Sequence, residues 1–313
     1  MANLPISSTS ASTVFDDRRP SSYSSKIEYI NIYQHGTLFN ETRWLSSIEA
    51  YPDGRFLIID NRNQHILLLN QNGSFRIDLS SIIFHQIQLL NTDANSFSSI
   101  DRSYSFGNVH IDDDSYFYLI PTQLYKIYIF SPENRLIRSI TAAMLGISIL
   151  RSDCLAVTQT GLLYVCDDAH RAIRIYTRMG VYERSIYLEK LPLKLLITRN
   201  RMFIYSTENL GFIQIFTLAG APVRTLNMCS FNFPSEVIWL RGKYFLTCGT
   251  FLYVIDEKGD LIAEQNLRTL VDHSNSSLII QDFALNKNGL LLVTFRRDGT
   301  LFNRYWVIRP SIV

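Results

Sequence analysis

The sequence predicts an all-β chain: a six-bladed β-propeller of four-stranded antiparallel blades, its ring closed by an N-terminal strand. Three observations lead there. Short runs rich in β-branched, aliphatic and aromatic residues alternate apolar with polar, the period-two pattern of strands. Polar or glycine-containing turns separate these runs. The whole run-and-turn unit then recurs along the chain, and four strands per unit at a period near 40 to 60 residues marks a propeller.

Residues 1–25 are Ser-rich and lack hydrophobic periodicity, so they are expected to form a disordered tail ahead of a propeller domain over residues 26–313. No apolar stretch follows a basic start, as a signal peptide requires, and no run of 18 uncharged apolar residues offers a membrane span. A cytoplasmic protein is therefore expected. The sequons at Asn40, Asn72 and Asn275 would matter only after secretion.

The repeat is clearest in RFLIIDNRNQHILLLNQNGSF (Arg55 to Phe75), which reads as strand, polar turn, strand, Asn-Gly turn, strand. LLYVCDDAHRAIRIYTRMGVY (Leu162 to Tyr182) and MFIYSTENLGFIQIFTLAGAPV (Met202 to Val223) have the same layout. KYFLTCGTFLYVIDEKGDLI (Lys243 to Ile262) is a shorter copy. YFYLIPTQLYKIYIFSPENRLI (Tyr116 to Ile137) replaces the glycine turn with Pro132, Glu133 and Asn134. LLLVTFRRDGTLFNRYWVI (Leu290 to Ile308) is the sixth. A further strand precedes each unit, ending at Gly54, Ser115, Gly161, Arg201, Lys243 and Gly289, with spacings of 61, 46, 40, 42 and 46 residues. The last unit lacks an outer strand. IEYINIY (Ile27 to Tyr33) has no partner in the first unit, and pairing it with the last would close the ring and remove two exposed edges.

Two of these runs, IIDNRNQHILLLNQNG and VCDDAHRAIRIYTRMG, resemble the NHL repeat: an apolar strand ending in Asp, a polar turn, a basic or His residue, an aliphatic strand and a glycine turn. Asp60 and His65 match that pattern, as do Asp167 and Arg171. The resemblance implies the propeller found in tripartite-motif proteins, without their RING and B-box regions, so no ligase activity comes with it. The blades led by VHIDDDS and VIWLRGK lack the Asp-to-basic turn. Each Asp is expected to be structural, accepting hydrogen bonds from turn backbone N–H groups as in an Asx-turn.

A function would sit where loops ride on the rigid scaffold. In a propeller, the second-to-third-strand turns and the blade connections share one face. Here that face carries Arg62, Gln123, Arg171, Glu208, Arg296 and Arg297 as candidate binding residues. The connection from Ser80 to Asn108 is long for a compact domain. Its Phe84, Ile87, Leu89, Leu90 and Phe97 are expected to pack on the adjacent blade, or else to cover the face or dock a partner.

Catalytic signals are poor. No GxSxG, HExxH, P-loop or GxGxxG occurs, and the six histidines show no metal-ligand spacing. Cys154 and Cys166 lie on neighbouring strands and are expected to be buried and reduced. Aligning the leading strands places Ser47, Asn108, Cys154, Lys194, Glu236 and Asp282 at equivalent positions near the channel mouth. Asn108, Glu236 and Asp282 are hard ligands of the kind calcium takes, and lactonase-type propellers are similar in holding calcium there. Lys194 opposes a cation and favours a salt-bridged lining.

Lys and Arg number 30 and Asp and Glu 28, a formal charge of +2, which excludes a strong overall field for nucleic acid or anionic membrane. Residues Arg151 to Arg201 and Lys287 to Arg309 are each locally basic by +4. Single-stranded RNA binding would need basic groups sharing a face with aromatics; Arg171, Arg174 and Tyr176 could supply these but are not expected to share one face. The expectation is a non-catalytic scaffold without cofactor that binds a protein partner. The alternatives are RNA binding through a basic face and a calcium-dependent, lactonase-like hydrolase at the channel mouth.

Overall fold

The computed structural model describes residues 28–33, 45–61, 64–72, 74–91, 106–121, 126–206, 212–228, 234–240, 242–248, 251–266, 278–285, 291–297 and 300–311. Five blades are each made of four consecutive strands. The first holds β2 (Leu45–Ala50), β3 (Phe56–Asp60), β4 (His65–Leu69) and β5 (Phe75–Asp78). The second holds β6 (Phe106–Ile111), β7 (Phe117–Pro121), β8 (Lys126–Phe130) and β9 (Leu136–Thr141). The third comprises β10 (Leu155–Val157), β11 (Leu163–Asp167), β12 (Ala172–Tyr176) and β13 (Tyr182–Tyr187). The fourth comprises β14 (Pro192–Ile197), β15 (Arg201–Ser206), β16 (Phe212–Thr217) and β17 (Pro222–Asn227). The fifth comprises β18 (Pro234–Leu240), β19 (Lys243–Cys248), β20 (Phe251–Asp256) and β21 (Leu261–Asn266).

A further four-stranded sheet draws on both ends of the chain. It contains β22 (Leu278–Leu285), β23 (Leu291–Arg297) and β24 (Thr300–Ser311), and its outer strand is β1 (Glu28–Tyr33), antiparallel to β24. The innermost strands meet in cyclic order: β2 contacts β6 and β22, and β22 contacts β18. Ala284 of β22 is buried in one cluster with Ile48, Phe56 and Leu67 of the first blade. The two ends of the repeat thus share a core.

Second strands are buried along their whole length, as in β3, β7 and β11, because they sit between two strands of their own sheet and between two blades. Outer strands are half-exposed and carry the charges; in β13 only Ile186 is buried. The hairpins joining third to fourth strands share one turn chemistry. Thr177 N donates to Val181 O at 2.9 Å and Gly180 N to Thr177 O at 2.8 Å. The same pair of bonds recurs at Ser131, Thr217 and Asp256. Each turn adds one residue, and the ladder shifts register just before it in five blades, a bulge that bends the outer strand. Gly220 occupies this extra position at φ +97°, and its missing Cβ leaves room for Ile186 of the preceding blade.

One expectation is refined and another corrected: Phe84 and Ile87 pack against the adjacent blade as expected, but from a helix. The Ser80–Asn108 connection begins with helix α1 (Ser80–Asn91). Asp78 Oδ1 accepts from Ser80 N at 2.9 Å, supplying the acceptor that a helix start requires. Ile83 and Ile87, four apart, are buried in the core between the first and second blades, while Leu89 and Leu90 are exposed and Phe97 lies outside the described residues. The helix is fixed by Gln86, whose Nε2 donates to Asn134 O at 2.8 Å and whose Oε1 accepts from Leu136 N at 2.6 Å. Second, Cys154 and Cys166 form a disulfide rather than a reduced pair. Their Cα atoms sit 5.4 Å apart, inside the span a disulfide bridges.

Candidate binding face

Alternation of strand direction places the second-to-third-strand turns and the blade connections together at one end of the ring. Much of the polarity there locks blades to each other. Asn61, in the turn after β3, donates Nδ2 to Phe106 O and accepts Phe106 N at Oδ1, both at 2.8 Å, so the first blade clamps the start of β6. In the third blade Arg151 does the equivalent work. Its Nη2 reaches Asp168 Oδ1 at 3.1 Å and Pro192 O, at the start of β14, at 2.6 Å. Nothing in the sequence singled out Asn61 or Arg151; only the register of each leading strand against the preceding turn could have done so.

Asp167 is buried, with its carboxylate bound by Arg174 Nη2 at 2.5 Å and His170 Nδ1 at 2.7 Å. The expected Asx-turn is therefore corrected: its partners are side chains, because residues 168–170 wind into a 3₁₀ turn that brings His170 back over the carboxylate. Of Arg171, Arg174 and Tyr176, not expected to share a face, the last two project from the same side of β12. They are two apart on a strand and so project together. Arg174 Nη1 donates to Gly146 O at 3.3 Å and Tyr176 Oη to Leu145 O at 2.5 Å. Burial pushes the Tyr176 phenol above its usual range.

Arg171 follows the 3₁₀ turn in the left-handed region, at φ 48° and ψ 51°. It is exposed, and no described residue bonds its guanidinium. Tyr187, 78% exposed, stands opposite Ala172 in the β12–β13 ladder, and Leu188 N donates to Arg171 O at 2.8 Å. The connection held by Arg174 and Tyr176 carries Met144 and Ile149, each 51% exposed. Exposed Met144 and Ile149 thus lie on a connection, and exposed Tyr187 on an outer strand, that are joined through backbone and side-chain bonds to the strand following Arg171 and the exposed His170 ring. These three apolar residues went unnoticed in the sequence, where they read as ordinary strand and loop residues.

Of the other candidates, Arg62, Gln123 and Glu208 lie outside the described residues. Arg296 and Arg297 end β23, paired in backbone register with Ile279 and Leu278.

At the channel mouth, Ser47, Asn108, Lys194 and Asp282 each follow the register shift of their leading strand. Glu236 lies within the shift between Pro234 and Val237, and Cys154 immediately precedes β10. Ser47 Oγ donates to Asn108 Oδ1 at 2.9 Å, and that oxygen also accepts Val109 N at 3.1 Å. Deeper in the channel His110 Nε2 bonds Leu155 O at 3.2 Å. Burial, reinforced by the charge of Lys194, holds His110 down at about 4, so its ring is neutral and Nε2 carries the proton. Among the described residues, no group of three or more His, Cys, Asp or Glu could hold a metal, and no helix is long and apolar enough to cross a membrane.

Comparison with solved structures agrees with this architecture. The chain is similar to a streptogramin B lyase, with a TM-score of 0.55 and 9% identity over 90% of this chain and 97% of that one. It is similar to a catalytically inactive virginiamycin B lyase from Staphylococcus aureus with quinupristin, with a TM-score of 0.53 and 11% identity over 88% and 87%. It also matches Raptor from Chaetomium thermophilum, with a TM-score of 0.52 and 13% identity, covering 87% of this chain but 28% of that one. The fold is a β-propeller. At these identities the likeness extends to fold alone. No protein-family model and no curated protein matches the chain, so the NHL resemblance stays with the two quoted runs.

Proposed function

We propose that this propeller is a non-catalytic binding scaffold, a closed six-bladed ring that holds a protein partner on the face of its second-to-third-strand turns. The observation that carries the proposal is the exposure of Arg171, with no described partner for its guanidinium, together with exposed Tyr187 on the outer strand of its blade and exposed Ile149 and Met144 on the connection bound to that blade. Exposed aromatic and arginine side chains on a rigid frame are the groups that dominate protein interfaces, and apolar surface beside them supplies the desolvated surround. The proposed face extends to Arg62, Gln123, Glu208, Arg296 and Arg297.

Two alternatives fare less well. Single-stranded RNA would use Arg171, Arg174 and Tyr176 for charge and stacking; Arg171 is exposed, but Arg174 and Tyr176 are spent on Asp167 and on the carbonyls of Gly146 and Leu145. A lactonase-like calcium site would use Asn108, Glu236 and Asp282. Asn108 Oδ1 already accepts two hydrogen bonds, and the ring position at Cys154 is closed by a disulfide.

Affinity capture from lysate, with and without nuclease, tests the proposal. Capture of a specific protein that survives nuclease and is lost in Arg171→Ala/Tyr187→Ala supports it. Capture abolished by nuclease transfers the face to RNA.

A further inference from the structure

Asn72, Gly73 and Ser74 spell an N-x-S sequon in the sequence, and the fold places Asn72 and Ser74 in the hairpin between β4 and β5, on the opposite face from the proposed partner site. Asn72 is exposed. Its Oδ1 accepts Ser74 N at 3.0 Å and Ser74 Oγ at 2.7 Å. The hydroxyl two residues on is thereby held against the amide oxygen, while Nδ2, the atom that would be modified, makes no bond to any described residue. Beside it, Asp53, Arg55, Asn70, Gln71 and Arg76 line an open polar depression, able to hydrogen-bond the first sugar of a glycan. A sequon alone is common and carries little. The second observation is the state of the sulfur. Cys154 and Cys166 are joined, Cys248 is disulfide-bonded, and there is no free cysteine among the described residues. Disulfides in a chain of this size belong to oxidising compartments, which are also where oligosaccharide is transferred to asparagine.

We propose that Asn72 is an N-glycan acceptor and that the chain matures in an oxidising, secretory-type compartment, in place of the cytoplasm expected from sequence. In the transfer, Asn72 Nδ2 attacks C1 of a lipid-pyrophosphate-linked oligosaccharide. The N–C1 bond forms, the C1–O bond to phosphate breaks, the lipid pyrophosphate leaves, and the amide proton passes to a base of the transferase. For each disulfide, two thiols give up two electrons and two protons to a disulfide-bonded oxidoreductase. The glycan covers the first blade's far hairpin and leaves the proposed partner face open, and it stands or falls independently of that face.

The test uses the full chain, expressed in cultured animal cells behind a cleavable secretory signal and recovered from the medium. Peptide N-glycosidase in heavy-oxygen water should convert Asn72 to labelled Asp. The label should vanish in Ser74→Ala and in Asn72→Gln, and persist in Ser74→Thr, which keeps the hydroxyl. An unmodified Asn72 in the secreted chain, or a modification indifferent to Ser74→Ala, overturns the site. In parallel, the chain isolated from the cells that naturally make it is denatured directly into alkylating agent. No alkylated cysteine is the expected result; alkylation of all four overturns the compartment even if the secreted chain carries the glycan.

Discussion

Arg178 Nη2 lies 2.6 Å from Asp112 Oδ2, an ion pair spanning 66 residues that ties the third blade to the second. The carboxylate is fully buried and also accepts Tyr118 Oη at 2.7 Å, while its other oxygen takes Tyr116 N at 2.9 Å. Arg178 Nε donates to Tyr118 Oη at 3.0 Å, and the guanidinium stacks 4.0 Å above the Tyr116 ring. Burial and the neighbouring Asp112 hold the Tyr118 phenol above its usual range.

Removing Arg178 strands a buried carboxylate, which costs about 3–5 kcal/mol. Urea denaturation of Arg178→Ala should show a loss of that size. Arg178→Lys should recover only part of it, since an ammonium cannot bridge Asp112 and Tyr118 while stacking on Tyr116. An unchanged midpoint in Arg178→Ala would show that the blades do not depend on this contact.

Gly220 leads to a steric prediction. At φ +97°, a Cβ there would fall 2.8 Å from Ile186 Cγ2. Gly220→Ala should therefore cost about 1–3 kcal/mol from backbone strain with a similar amount from overpacking. Gly180→Ala, whose nearest contact would be 3.3 Å from Ile140 Cδ1, should cost less. Thermal melts of the two variants, and of Gly220→Ala combined with Ile186→Ala, separate strain from crowding. Only the crowding part should return in the double variant.

His110 makes stability depend on pH. Its folded value of about 4 lies below the ordinary 6.5, so the unfolded chain binds the proton more readily. The contribution is fully present above about pH 6.5 and is lost as pH falls from 6.5 towards 4, at up to about 1.4 kcal/mol per pH unit. His110→Gln, which keeps a donor for Leu155 O, should flatten the stability profile over that window. A profile unchanged by the substitution would assign the acid sensitivity to other groups.

Closing the ring through β1 predicts a difference between two truncations. Loss of residues 1–25 should leave the melting temperature nearly unchanged. Loss of residues 1–34 removes β1 and leaves β24 as an open edge, so the chain should lose stability sharply or aggregate. Two truncations of equal stability would contradict closure.

The blades could be read from sequence because their strands have period two and their turns carry Gly or Asn at fixed spacing. Even β1 was legible, as a strand left without a partner. The helix over Ser80–Asn91 was not: its buried pair Ile83 and Ile87 sits in a run, SSIIFHQIQLL, that is apolar enough to pass for a strand-like connection. The candidate site was half legible. Arg171 stood out as the basic residue of a repeat motif. Tyr187 comes with the outer strand of the same blade, whereas Ile149 and Met144 come with the preceding connection, which Tyr176 and Arg174 hold through backbone carbonyls, and carbonyl partners leave no trace in residue type.

The central claim is that the Arg171 sector binds a protein partner. It is tested most directly by titrating the captured partner against the wild-type chain, Arg171→Ala/Tyr187→Ala, and a control on the opposite face, Lys258→Ala. Loss of at least tenfold in affinity, about 1.4 kcal/mol, is predicted for the double variant at unchanged melting temperature, with the control binding as wild type. Equal affinity for all three proteins would contradict the assignment of this face.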